Sequence, residues 1–187
     1  MKSKLFGVLV CVALLNVRPA GATTYNVNNT PGNVLGVTGF ITTDGNTGFL
    51  SSGDIIDWSL TIPATNGGTA FTLTNSNSSV ALGSNLLAAT STMLSFNFSS
   101  PSLSSLSFQN AALQYAVIWF SGIAFSGGVG GNQEIGDGSC SLCFANSPPF
   151  FGTEIIGTVP LPAALPLFAS GLGVLGLLAW RRKSAAA

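Results

Sequence analysis

Apolar side chains recur at every second position in the middle of this chain, and this spacing constrains its fold more than any other feature. The alternation runs through residues 56–62, 71–74 and 94–98. A period of two places one face of a β-strand against a core and the other face in water. Clusters of Gly, Asn and Ser separate the runs. Many short strands joined by such turns predict an all-β domain, an antiparallel β-sandwich or jelly roll.

Two segments refine this prediction. Residues 113–120 are apolar on both faces, with Leu113, Tyr115 and Trp119 along one of them, and such a run indicates a central strand. Residues 40–49 contain Asp44-Gly45 between two short runs, and this pair predicts the turn of a β-hairpin. No stretch before Pro160 has the spacing of an amphipathic helix.

Every cationic side chain lies near one end of the chain, in residues 1–22 or in the last seven residues. Between Thr23 and Thr158 there is no Lys, Arg or His, and the six carboxylates give this segment a side-chain charge of −6. About half of its residues are Ser, Thr, Asn or Gly, so small neutral groups must keep it in solution.

The missing cations exclude several classes of function. Nucleic acids and anionic lipid surfaces are bound through Lys and Arg, so neither is an expected partner. Without His, the segment has no Ser–His–Asp or Cys–His nucleophile. An acidic polysaccharide would be repelled unless a divalent cation bridged it. We therefore predict that the protein is not an enzyme and that it has no catalytic residues, cofactor or metal.

The first 22 residues have the pattern of a signal peptide. Lys2 and Lys4 form a basic start, residues 5–15 are apolar, and Ala20-Gly21-Ala22 precedes the expected cleavage point. An apolar run of this length is too short to cross a bilayer as a helix. We expect the export machinery to deliver the chain and signal peptidase to cut between Ala22 and Thr23, which leaves residues 23–158 as one exported domain.

The last part of the chain predicts a single transmembrane helix. Residues 161–180 carry no charge and would span ~30 Å as a helix. Pro166 marks the start of the part without interior proline. A basic end follows this run, and it should stay in the cytoplasm. This basic stop-transfer end is Arg181, Arg182 and Lys183.

The segment 159–187 resembles the PEP-CTERM sorting tail of exported bacterial proteins, in its VPLPA variant. The resemblance rests on three parts, which are the motif Val159-Pro160-Leu161-Pro162-Ala163, the apolar span and the basic end. Leu161 departs from the commonest form, in which Glu stands between the prolines. The rival interpretations are a sortase signal of the LPxTG type, in which Ala164 and Leu165 replace Thr-Gly, and an ordinary membrane anchor.

This resemblance implies a route and a setting for the protein. The chain would be exported from a Gram-negative bacterium and held in the inner membrane through its tail. An exosortase-type enzyme would then recognise the motif and remove the tail. The product would lie at the cell surface or outside the cell, in association with exopolysaccharide and biofilm. Which exosortase reads the motif stays open because of Leu161.

The remaining candidate residues carry weaker patterns. Cys140 and Cys143 predict a local disulfide in an oxidising compartment, because no helical context supports a redox pair and no His completes a zinc site. Asp54 and Asp57, three residues apart on an expected strand, should face opposite sides. The loop acids Asp44, Glu134 and Asp137 match no complete calcium loop.

The sequence thus favours a non-enzymatic protein of the cell surface or extracellular matrix. The alternative is a carbohydrate-binding module built on the same kind of β-sandwich. Trp58, Tyr115 and Trp119 would have to face outward to stack on sugar rings, but their positions fit the core stripe.

Overall fold

The structure is a computed structural model of the 187-residue chain, and it describes residues 21–28, 36–64, 69–138 and 144–160. Within these ranges the chain forms thirteen β-strands and one short 3-10 helix, Ser52–Asp54. The strands are β1 (Thr23–Val27), β2 (Thr38–Thr43), β3 (Gly48–Phe49), β4 (Ile55–Ile62), β5 (Phe71–Thr74), β6 (Ser79–Leu82), β7 (Leu87–Ala89), β8 (Met93–Asn97), β9 (Ser104–Gln109), β10 (Tyr115–Phe125), β11 (Gly128–Asp137), β12 (Phe144–Asn146) and β13 (Thr153–Thr158).

The strands form two antiparallel sheets. The first has eight strands in the order β3-β7-β8-β13-β1-β2-β4-β5. The second has five in the order β12-β11-β10-β9-β6. β10 is the central strand of this second sheet, as the sequence predicts, and it pairs with β11 from Tyr115 to Phe125 and with β9 over residues 116–121.

One hydrophobic core is shared by both sheets. Trp58 of the first sheet lies against Phe108 of the second, with ring centroids 5.4 Å apart. Phe108 in turn meets Trp119 edge to face at 6.3 Å. The predicted all-β class is confirmed, and the fold is sandwich-like because the apolar stripes of both sheets bury each other.

Strand alternation follows the sequence closely except at the start of β4. Leu60 and Ile62 are buried, whereas Ile56 is exposed and Ile55 is buried in its place. The register between β2 and β4 shifts at this point, where Thr42 faces Asp57 and Thr43 faces Ile55. The extra residue of this β-bulge turns Ile56 outward, so the prediction that Ile56 belongs to the buried stripe is wrong.

The predicted hairpin over residues 40–49 does not form. β2 is paired on both sides, by β1 and by β4, so it has no free edge for β3. β3 pairs instead with β7. The chain after β2 is directed away by its own hydrogen bonds, because the Asp44 amide donates to the Asp54 carbonyl at 2.9 Å.

Leu113 also departs from the predicted strand face. It has a positive φ of 54° and its amide donates to the Asn110 carbonyl at 3.0 Å. The Asn110 side chain accepts from the amides of Gln114 and Tyr115. This turn exposes Leu113 and delays the start of β10 to Tyr115.

The eight-stranded sheet consists of two groups of four strands that meet only where β1 and β13 pair. Tyr25 of β1 is buried at this junction, and its hydroxyl donates to the Thr90 carbonyl at 2.6 Å. A Cβ on Gly157 of β13 would stand 3.1 Å from the Tyr25 Cβ. The absence of a side chain at Gly157 therefore leaves room for Tyr25, which links both groups.

We expect Tyr25→Phe to cost ~1–2 kcal/mol of unfolding free energy at neutral pH, because it leaves the Thr90 carbonyl without its donor. Burial raises the pKa of Tyr25 above its ordinary value of 10.0. The folded protein then keeps a proton that the unfolded chain loses, so stability is intact below about pH 10 and falls as the pH rises further. Tyr25→Phe should reduce this alkaline loss.

Urea unfolding of the full chain between about pH 8 and pH 11 would measure this effect. Tyr115→Phe is the matched control, since Tyr115 is the only other tyrosine, and it should keep the alkaline loss due to Tyr25. An alkaline loss of equal size in Tyr25→Phe and in the unmodified chain would contradict the assignment.

Candidate functional site

The predicted exported domain begins and ends on two neighbouring strands. β1 starts at Thr23, the residue expected to follow signal-peptidase cleavage, and β13 ends at Thr158, directly before the predicted sorting motif. The strands are antiparallel, with Asn26 opposite Thr158. The chain at Thr158 therefore runs towards the end of the sheet at which β1 begins. We call these two strands the terminal strand pair.

The first residue of the predicted sorting motif is part of the folded domain. The Val159 amide donates to the Thr92 carbonyl at 2.8 Å, and the Val159 side chain packs partly buried against the hydrophobic core. Pro160 is exposed. The folded domain therefore includes the predicted motif as far as Val159, and Pro160 is the first exposed residue of that motif.

The predicted leader junction lies next to the turn that follows β2. Thr23 pairs with Thr43 at the end of the sheet. A Cβ on Gly45 would stand 2.5 Å from the Gly21 carbonyl oxygen, and the φ of Gly45 is +93°. Glycine is needed there because the backbones approach so closely. Gly21 thus passes directly over this turn.

Several predicted residues lie outside the described ranges. They are Leu161, Pro162 and Ala163 of the motif, Cys140 and Cys143 of the predicted disulfide, and Arg181, Arg182 and Lys183 of the basic end. Residues 1–20 of the leader lie outside as well. Among the helices of the described part, none has the length and apolar character needed to cross a bilayer.

Two carboxylates that are distant in sequence come together at one amide. The Asn46 side-chain nitrogen donates to Asp44 at 2.7 Å and to Asp54 at 3.0 Å. The Ser51 amide and hydroxyl donate to the other oxygen of Asp54 at 2.7 and 2.8 Å. Asp54 stands at the third position of the short 3-10 helix rather than on a strand, which corrects the sequence prediction.

These donors hold Asp54 as an anion. Its pKa is lowered from 3.8 to about 2, first by the Ser51 backbone N–H and then by the Asn46 amide and the Ser51 hydroxyl. Such a group carries no proton to donate at neutral pH. Sequence reasoning missed this convergence, although Ser51-x-x-Asp54 has the spacing of a helix capping box.

Asp57 and Glu134 have hydrogen-bond partners outside this group. Asp57 accepts from the Trp58 backbone amide at 2.9 Å. Glu134 accepts from the Asn132 side chain at 3.2 Å. Across the part of the chain that the structure describes, no three His, Cys, Asp or Glu side chains form a group suited to a metal ion.

The large aromatic residues face inward, as the sequence indicates. Trp58 and Trp119 are buried, and the Trp58 indole nitrogen donates to the Ser78 hydroxyl at 2.9 Å. Tyr115 is half-buried and stacks on Phe71 with a centroid distance of 4.0 Å. Trp58 and Trp119 therefore present no open ring face to a ligand, and Tyr115 has one face covered by Phe71.

A different aromatic residue borders an open cleft. Phe49 of β3 stands between two depressions of about 730 and 300 Å³, and Ser84 and Asn85 line both of them. We call the two depressions together the Phe49 cleft. The sequence did not indicate it, because Phe49 was assigned to a hairpin that does not form.

No family model, no curated protein and no solved structure matches this chain.

An NMR titration of the carboxyl carbons would test the hydrogen bonds around Asp54. We expect Asp54 to titrate near pH 2. Because the pKa is lowered in the folded state, the stabilisation from the anion is present above the ordinary pKa of 3.8 and is lost as the pH falls towards 2.

The variant Asn46→Ala should move the Asp54 titration upward, since it removes a donor to the anion. Ser76→Ala is the control, because its hydroxyl bonds to Thr74 and not to this group. An Asp54 midpoint that is the same with and without Asn46 would show that the amide does not hold the anion.

Proposed function

We propose that this chain is an exported, non-enzymatic protein of the cell surface or extracellular matrix of a Gram-negative bacterium. Residues 1–22 act as a signal peptide that signal peptidase removes. Residues 159–187 act as a VPLPA-type sorting tail, with a single transmembrane helix and a cytoplasmic basic end. An exosortase-type enzyme removes this tail and releases the β-domain from the inner membrane.

The observation that carries the proposal is the agreement between the domain boundaries and the two expected processing positions. β1 begins at Thr23 and β13 ends at Thr158, so each expected cut lies next to a terminal strand. The terminal strand pair also directs both ends of the domain to neighbouring positions. This supports a precursor with both termini on the same side of one membrane, as the two basic ends require.

The chemistry of the domain supports a non-enzymatic role. The chain contains no His, and the carboxylates Asp44 and Asp54 meet at an amide rather than around an open pocket. The low pKa of Asp54, about 2, makes it a poor general acid, because an effective one has a pKa near the working pH.

The position of Val159 limits where the tail is cut. A protease or transpeptidase needs an accessible stretch of chain on both sides of the cleaved bond. The Val159 amide is bound to Thr92 and its side chain packs against the core, so accessible chain begins at Pro160. We infer that the enzyme cuts beyond Leu161, so that Val159 stays in place as part of the domain and accessible chain precedes the cut.

Intact-mass spectrometry of the secreted protein from an exosortase-containing host tests the proposal. We expect a first residue of Thr23 and a last residue between 161 and 164. The double variant Pro160→Ala, Pro162→Ala should instead accumulate in the membrane fraction with Ala187 intact, because it alters the recognised motif. Pro148→Ala, Pro149→Ala is the matched control, since both prolines are exposed and outside the tail.

Three outcomes would overturn the proposal. The first is an unmodified chain that keeps Ala187 in an exosortase-containing host, which would identify an ordinary anchor. The second is equal processing in a host that lacks exosortase. The third is a mature protein that still begins at Met1. A last residue before Leu161 would contradict the inferred position of the cut.

A further inference from the structure

We propose that the Phe49 cleft binds a neutral glycan. The inference goes beyond export and sorting, because it concerns a surface of the β-domain and does not need the tail to be processed. It follows from the shape of the cleft, from its two exposed apolar side chains, and from the neutral polar groups between them.

The cleft lies where an edge of each sheet approaches the other. β3 is the outermost strand of the eight-stranded sheet, and β6 is the outermost strand of the five-stranded sheet. Leu82 of β6 and Phe49 of β3 both line the smaller depression. Because Phe49, Ser84 and Asn85 border both depressions, a ligand chain can lie across them and continue on either side.

Two apolar side chains at this cleft are unusually exposed to solvent. Phe49 is 66% exposed and Leu103 is 71% exposed, the two highest values among the large apolar residues that the structure describes. Both line the larger depression. An exposed aromatic ring offers a flat apolar surface with a large contact area. The C–H face of a hexose ring is a suitable partner for such a surface.

The rest of the described lining is uncharged and mostly polar. Its other described lining residues include hydroxyl and amide side chains, which donate and accept hydrogen bonds, and none of the described lining residues is ionisable. The polar members of the larger depression are Ser84, Asn85, Asn97, Ser100, Ser102 and Ser104. This mixture matches a sugar, which carries hydroxyls around an apolar face.

The absence of charge decides between ligand classes. The exported segment carries no cation and a net charge of −6, so phosphate, uronate and anionic lipid ligands find nothing to neutralise them. A cationic ligand finds no carboxylate among the described lining residues. A peptide added as a strand needs a long free edge, whereas β3 has two residues. None of these arguments excludes a neutral glycan as the ligand.

Backbone hydrogen bonds hold the walls of the cleft in place before any ligand arrives. The Leu50 amide donates to the Leu87 carbonyl at 2.9 Å, and the Asn97 amide donates to the Leu86 carbonyl at 2.9 Å. The Gly83 amide donates to the Ser105 carbonyl at 2.9 Å. A preformed site loses little conformational entropy on binding. The cleft can therefore bind an uncharged ligand such as a glycan without first becoming ordered.

Calorimetry on the full chain in detergent micelles, with neutral oligosaccharides of glucose, mannose or galactose as probes, tests the proposal. We expect at least one probe to bind. Phe49→Ala should weaken that binding by about tenfold or more, because an aromatic contact at the centre of a site contributes most of its affinity. An oligosaccharide of uronic acids should bind more weakly than its neutral counterpart.

Two further variants test whether a loss of binding is specific to the cleft and independent of a loss of stability. Asn85→Gly removes the amide but suits the backbone, because Asn85 has a positive φ of 58°. It should weaken binding several-fold and leave the urea midpoint unchanged. Phe151→Ala is the matched control, since Phe151 is 45% exposed and lies outside the described lining of the cleft. It should bind as the unmodified chain does.

The proposal is overturned if no neutral probe binds, if the uronic acid probe binds most tightly, or if Phe49→Ala and Phe151→Ala bind equally well. Sedimentation that shows self-association lost only in Phe49→Ala, without glycan binding, would assign the cleft to a second copy of the chain and also overturn it. None of these results affects the masses of the mature termini, so failure here is distinguishable from failure of the sorting proposal.

Discussion

The pairing of the first strand with the last is the contact on which the rest of this fold depends. It joins the two four-strand groups of the larger sheet, and Tyr25 and Gly157 fit together at the junction. Contacts between opposite ends of a chain form late in folding. The entropy cost of closing the long loop comes before the contact contributes any favourable energy. The larger sheet is thus complete only when both ends of the domain are available to pair.

The lack of cationic side chains determines the character of the surface as strongly as the terminal strand pair determines the fold. Salt bridges between side chains cannot form within residues 23–158, because no Lys, Arg or His occurs there. Its polar contacts are instead made by hydroxyls, amides and single carboxylates, as around Asp54 and Asn46. The same composition makes the Phe49 cleft a neutral surface. The composition of the domain therefore determines both the kind of polar contact it makes and the kind of ligand that we propose for the cleft.

Much of the fold could be predicted from side-chain alternation, because burial on one strand face is a local property. Leu94 and Phe96 follow that rule, and the run that is apolar on both faces forms the central strand β10. Which strands pair could not be predicted. Asp44-Gly45 favours a hairpin locally, but β1 and β4 occupy both sides of β2. The bulge that exposes Ile56 depends on the same pairing. The cleft was missed for this reason, since its walls come from β3, a turn and a loop that meet only in the folded domain.

Hydrogen exchange followed by mass spectrometry tests the central claim most directly. If the terminal strand pair closes the domain, the amides of β1 and β13 exchange only through global unfolding, with the same protection as the amides of β10. Rapid exchange in β13, while β10 stays protected, would contradict this account. It would mean that the last strand is an accessory to a fold that is complete without it.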